Sequence, residues 1–267
     1  MTKTLLENID NIPPLPESVQ EVERVYNNPD STLDDMQKAI EKDPILTANI
    51  LRLVNSPAYG LKNQITDLKQ AVSLLGKDTI RTFALGSVAN DFEINLSPYG
   101  MTKEQFSTAC DKQLSLVVNW LRRTEGQNLS LLAPAAFLVD LGRVIISKTL
   151  IEDEKTDIIE KALLAGEDIA NAEKTACGAQ TTDVTATLFH KWNLDPDIVH
   201  IIRYSDDPEG ATPDEQRMAA ELKAVRETIM PNGEITDESI ATAKDTIEEF
   251  GLDMASYEKA LEKVMDA

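Results

Sequence analysis

The stretch DPILTANILRLVNSPAYG, residues 43–60, constrains the fold more than any other. Asp43 is placed to cap a helix, and Pro44 suits the first helical position, where a missing N–H costs nothing. Leu46, Ile50, Leu53 and Val54 follow at the spacing of one buried helical face. Pro57 disfavours helical geometry at Ser56, so the helix ends near Asn55-Ser56-Pro57, and Tyr59-Gly60 reads as a turn. The pattern then repeats. Ile65 to Leu75 is amphipathic, Gly76 ends it, and Asp78 is placed to cap another helix running to about Ala89. No run of alternating β-branched residues occurs anywhere, which argues against a substantial sheet.

Helical signals fill the remaining chain. Leu15-Pro16 leads into a helix with Val19, Val22, Val25 and Tyr26 on one side. Ser31 is expected to cap the next, with Leu33, Met36 and Ile40 facing inward. The turn-rich NLSPYG at 95–100 marks a boundary. Beyond it, Thr102 and Gln105 form a capping box for a long helix carrying Phe106, Cys110, Leu114, Val117 and Leu121. Pro134 suits the first turn of the following helix, which Gly142 is expected to stop. Amphipathic segments follow at 158–164, 167–176 and 181–192, and Asp195-Pro196 repeats the acid-proline start. SDDPEGATP at 205–213 is the clearest linker. Three more helices begin at Thr212-Pro213, Thr236 and Asp253.

The 267 residues suffice for one large or two small domains, and an apolar share of 42% is that of a globular chain. Net charge is −20, from 46 acidic and 26 basic residues, a balance that argues against general nucleic-acid or anionic-membrane binding. The longest apolar run, LLAPAAFLV at 131–139, is far short of a bilayer span, and MTKTLLENID turns acidic before an apolar signal core can form. The expectation is a soluble, cytoplasmic protein. Cys110 and Cys177 each sit within an apolar-periodic helix and read as small buried hydrophobes.

Three segments, IPPLPESVQEV, DPILTANILRLVNSPAYG and ITDLKQAVSLLGKDTIRTFALG, together resemble the HDOD family, bacterial all-helical regulatory domains related to HD-type metal-dependent phosphohydrolases. The match runs in register from about Ile12 to Pro208. It implies an all-α, HD-related multi-helix bundle with an N-terminal helical subdomain. The HDOD domain would span 12–206, divided into an N-terminal bundle at 12–97 and an HD-like half at 98–206, with a C-terminal helical extension at 207–267.

An HD-type hydrolase holds its metal with histidines and aspartates, because neutral imidazole and carboxylate suit a divalent ion that activates water. In this register the family's first histidine falls on Leu114, its His-Asp pair on Val139-Asp140, a later histidine on Thr181, and a His-His pair on Ser205-Asp206. DLGR, with Arg143 at a lysine position, resembles the DIGK of active members. Asp140 is the one retained ligand position. One carboxylate cannot hold a catalytic metal, so the resemblance implies a degenerate HD domain with no catalytic residues, metal or cofactor. The chain's two histidines, His190 and His200, fall on no signature position. Lone histidines on amphipathic helices are usually packing or surface residues.

No GxGxxG, phosphate-binding Gly-Lys loop or GxSxG elbow is present. LKQAVSLLGKDTIRTFALG has the outline of helix-turn-helix, with only Lys77 and Arg81 as cations on its second helix. Arg52, Asn55, Ser56, Tyr59 and Gly60 remain as a polar cluster for a ligand or partner, although Asn55-Ser56 can equally terminate a helix with Tyr59 packed on it. The resulting expectation is a non-catalytic bacterial signal-transduction protein. Its input would be a small regulatory ligand or a protein such as a kinase, receiver or cyclic-dinucleotide protein. The alternatives are a metal-dependent phosphohydrolase acting on a nucleotide and, more weakly, a DNA-binding regulator.

Overall fold

The computed structural model describes residues 1–55, 63–89, 92–121 and 129–266. The described residues are α-helical with no strand, only an isolated bridge between Leu96 and Met101, so the all-α expectation holds. The chain divides into two compact units, Pro14–Phe92 and Met1–Pro13 with Glu93–Ala267.

The smaller unit holds α2 (Glu17–Tyr26), α3 (Leu33–Glu41), α4 (Pro44–Val54) and α5 (Leu68–Val88). Asp43 caps α4 as its position predicts, accepting from the Ile45 and Leu46 amides at 2.9 and 3.0 Å. Ser18 donates to the same carboxylate at 2.7 Å, which ties α2 to the start of α4. The cap of α3 is Thr32, not Ser31. Thr32 is extended, so its hydroxyl meets the Asp35 amide while Asp35 returns to the Thr32 N–H. Ser31 instead donates to Val25 O at 2.5 Å, and Leu33, expected inside, is 39% exposed. Gly76 breaks α5 at φ 75°, a backbone state that a side chain would strain. Arg81 is fully buried, its Nε 2.8 Å from Glu23 Oε1 and its guanidinium 4.2 Å from the Tyr26 ring centre.

The larger unit begins with α1 (Lys3–Asp10) and resumes with a 3-10 turn at Ser97–Tyr99. Then come α6 (Lys103–Leu121), α7 (Leu129–Leu138), α8 (Leu141–Glu152), α9 (Thr156–Ala165), α10 (Ile169–Cys177), α11 (Thr181–Lys191) and α12 (Pro196–Arg203). The chain ends with α13 (Pro213–Thr228), α14 (Asp237–Glu249) and α15 (Met254–Met265). Leu129–Glu152 is apolar and long enough to cross a membrane by composition alone, but most of it is buried, as befits a core helix pair.

Two punctuation signals act differently from their sequence reading. Pro134 is interior to α7 rather than in its first turn. Gly142 does not stop a helix; it lies in the first turn of α8. A Cβ on Gly142 would stand 2.3 Å from the Thr181 carbonyl oxygen, so this glycine is required by the close approach of α11. The Gly142 amide donates to the Thr185 hydroxyl at 2.8 Å across that contact.

The C-terminal helices belong to the same packed unit. Trp120 of α6 donates to the Asp253 carbonyl at 3.0 Å and meets the Tyr257 ring edge-on at 5.3 Å. Tyr257 Oη lies 2.8 Å from the Thr228 hydroxyl, closing a polar link between α15 and α13. At the other end of the chain, Lys191 donates to the carbonyls of Ile9, Asp10 and Ile12, satisfying the last turn of α1.

Candidate functional site

Asp140 stands at the turn between α7 and α8, 3% exposed. It occupies the cap position of α8, yet its carboxylate makes no cap bond. It turns instead toward three cationic or amide donors. Gln113 of α6 donates from Nε2 to Oδ2 at 2.9 Å. Arg143 Nη2 lies 3.3 Å from Oδ1, and Arg226 Nη2 of α13 lies 3.7 Å from the same oxygen.

Arg226 also pairs, through Nη1, with Asp206 Oδ1. Thr182 of α11 donates to the other Asp206 oxygen at 2.6 Å. Arg226 thus lies between two carboxylates, one at the start of α8 and one just past α12. On the far side, Arg143 Nη1 is 3.5 Å from Glu173 Oε1 and its guanidinium lies 5.0 Å from the Tyr99 ring centre. Glu173, 1% exposed, accepts from the Tyr99 hydroxyl at 2.8 Å, the Thr181 amide at 2.6 Å and the Thr181 hydroxyl at 2.8 Å.

The cluster is therefore three carboxylates, two guanidiniums and their neutral donors in a water-poor interior, where unpaired charges would be costly. Burial disfavours the charge on Asp140, but Arg226 and Arg143 outweigh it and hold the carboxyl below its ordinary range. Asp206 is likewise opposed by burial and held low by Arg226 and the Thr182 hydroxyl. Burial opposes the charge on Arg226, and Asp206 and Asp140 more than restore it. A cleft of about 400 Å³ opens beside Arg226 and Asp206, bordered also by Lys174, Gln180 and Lys223.

The family register's positions at Val139, Asp140, Thr181, Ser205 and Asp206 lie in or beside this cluster, and Leu114 is half-buried. Its neighbour Gln113 is the residue that reaches Asp140. Val139 is fully buried. A divalent ion needs about three side-chain ligands and an open position. Both Asp140 oxygens already accept from Gln113 or face guanidiniums, and that donor set repels a cation. The residues present do not fit a metal at Asp140.

The histidines are both exposed. His200 Nδ1 sits 2.7 Å from Glu215 Oε1. The two thiols are buried; burial pushes Cys177 up to about 11 and, aided by Asp140, Cys110 higher still, so neither is a nucleophile near neutrality.

Of the second candidate cluster, Arg52 is exposed on the last turn of α4. Asn55 is half-buried, donates to Leu51 O and Ile65 O at 2.7 Å each, and accepts from the Ile65 amide at 2.8 Å. It ties the end of α4 to the backbone of Ile65. Ser56, Tyr59 and Gly60 lie outside the described residues. The residues that sequence reasoning missed are Arg226, Glu173, Tyr99, Thr182 and Gln113. Arg226 had no local signal: a single arginine after Ala224-Val225 reads as a solvated position.

The helices packed around the α7–α8 turn form a bundle of HD-related type. The HDOD domain family matches residues 12–208, and the chain belongs to that family. A solved virulence factor from Campylobacter jejuni subsp. jejuni is 27% identical, with a TM-score of 0.61 over 99% of this chain and 98% of its own. A solved Shewanella amazonensis SB2B protein named "Putative phosphohydrolase" superposes with a TM-score of 0.75 at 22% identity, covering 98% of this chain and 94% of its own. An uncharacterized protein from Treponema pallidum (strain Nichols) is 34% identical over 76 residues. That stretch is 28% of this chain and spans only 15% of the Treponema protein's length.

Proposed function

We propose that this HDOD protein is a non-catalytic regulator of bacterial signalling that works in the cytoplasm by binding rather than turnover. Its input is a protein partner, such as a kinase, receiver or cyclic-dinucleotide protein, or a small regulatory ligand. The observation that carries this reading is the engagement of Asp140 by Gln113, Arg143 and Arg226, which leaves no carboxylate oxygen for a water-activating ion. The cleft, bordered by Arg226, Lys174 and Lys223 and by the carboxylates of Asp168, Asp206, Asp207 and Glu227, is the natural place for a small polar ligand. The HDOD family as a whole consists of regulatory domains, which supports the same reading.

The runner-up is a metal-dependent phosphohydrolase acting on a nucleotide, favoured by the name of the Shewanella structure. The two separate on metal analysis of the purified protein and on nucleotide phosphoester turnover with manganese or magnesium. The regulatory reading expects neither; a stoichiometric, tightly held transition metal would overturn it. The DNA-binding reading loses its two cations. Arg81 is buried against Glu23, and Lys77 is held by Ser31 at 2.5 and 2.6 Å, so neither reaches toward a phosphate backbone.

A further inference from the structure

We infer that Arg226 is a resident cation standing in for a metal between Asp140 and Asp206, so that α13 completes the site from outside the family-matched segment. Three observations converge on it. Arg226 bridges one carboxylate from the α7–α8 turn and one from the segment after α12, the way a divalent ion joins ligands from separate elements. Those two carboxylates occupy positions that the family register gives to metal ligands. And α13 begins at Pro213, past the matched residues 12–208.

The chemistry of the exchange is coherent. A guanidinium delivers one delocalised charge and a fork of donors suited to carboxylates, and it remains protonated at any physiological pH. Unlike an ion, it is covalently attached and cannot be lost to a chelator. Ser205, fully buried, stands 3.5 Å from Arg226 Nη1, so a neutral hydroxyl acceptor accompanies the guanidinium beside Asp206. Arg226 Nε is buried without a hydrogen-bond partner among the described residues, so the side chain is held by its terminal nitrogens, as a bridge between acids requires. In this arrangement the C-terminal helices are fastened to the HD-like half through the site itself.

This inference rests on the non-catalytic reading, and its test avoids metal altogether. Melting temperatures are measured in excess chelator for four proteins: wild type, R226M, D140N/D206N and R226M/D140N/D206N. If Arg226 is a counter-ion, R226M lowers the melting temperature of the wild type by about 5 °C, because part-buried Asp206 loses its cation while Asp140 keeps only Arg143 and Gln113. The same substitution then raises that of D140N/D206N, because it removes an orphaned guanidinium. An equal loss in both backgrounds would overturn the inference, since packing alone would then account for Arg226. Should R226M fail to fold, the comparison of D140N/D206N with the triple variant decides by its sign. Equal losses leave the non-catalytic reading standing, whereas stoichiometric metal in untreated wild type would defeat that reading first.

Discussion

Arg226 Nη2 lies 3.7 Å from Asp140 Oδ1, joining the α7–α8 turn to a helix that the family match does not reach. Whatever the chain binds, the environment of Asp140 is set by guanidinium charge.

That charge should appear in the acid limb of the stability curve. Asp140 and Asp206 are held below their ordinary pKa, so the unfolded chain takes up protons that the folded one refuses. Their contribution is complete above about pH 4, near the unfolded value, and is lost as pH falls through the folded values. Glu221 and Glu227, raised by burial, act in the opposite sense, contributing in acid and losing that share as pH rises through their folded values. Urea midpoints between about pH 3 and 7 should climb less steeply with pH in D206N than in wild type. Equal slopes would show that Asp206 is not coupled to Arg226.

The α8–α11 contact leaves no room at residue 142. Gly142→Ala should lose about 3 kcal/mol, because the intruding methyl meets the Thr181 carbonyl, a backbone atom that cannot rotate away. Chemical denaturation followed by tryptophan fluorescence checks this, since Trp120 and Trp192 both lie in this unit. An unchanged midpoint would mean the helices separate at little cost.

In the smaller unit, Arg81→Ala should cost about 3–5 kcal/mol by leaving Glu23 buried and unpaired. The double replacement R81M/E23L should cost far less, because no charge is stranded. Far-UV circular dichroism is the appropriate probe, as both tryptophans lie elsewhere. A double variant no better than R81A would argue that the ion pair itself, not its completeness, stabilises the unit.

Asn55 offers a clean separation of structure from recognition. Asn55→Ala removes a clasp with two donated bonds and one accepted, at a cost of about 1–3 kcal/mol. Asn55→Asp keeps the acceptor for the Ile65 amide but loses both donors, and should fall between. Stability that is indifferent to both substitutions would return Asn55 to the ligand-contact reading.

The parts of the fold that were readable in the sequence are those set by local chemistry. Asp43-Pro44, Asp195-Pro196 and Thr212-Pro213 each open a helix where the capping rules place it, because cap and helix are a few residues apart. Adjacent hydroxyls defeated the same rules at Ser31 and Thr32, where backbone direction makes the choice. Pro134 and Gly142 were misread for a longer-range reason. A glycine that admits a neighbouring helix is indistinguishable, in sequence, from one that ends its own. The site divides in the same way. The family register brought Asp140, Thr181 and Asp206 to one place, but the cation that Asp140 shares with Asp206 lies on α13, and nothing local to Ala224-Val225-Arg226 announces a buried cation.

The placement of α1 has a bearing on synthesis. Its contacts are late in the chain: Asn8 donates to Thr149 and Glu152, Thr4 to Asp153, and Lys191 grips its final carbonyls. Helix α1 therefore has to wait, undocked, until the segment through residue 191 has emerged, while 14–92 is translated in between. Nascent chains stalled before and after that point should differ in protease resistance at α1.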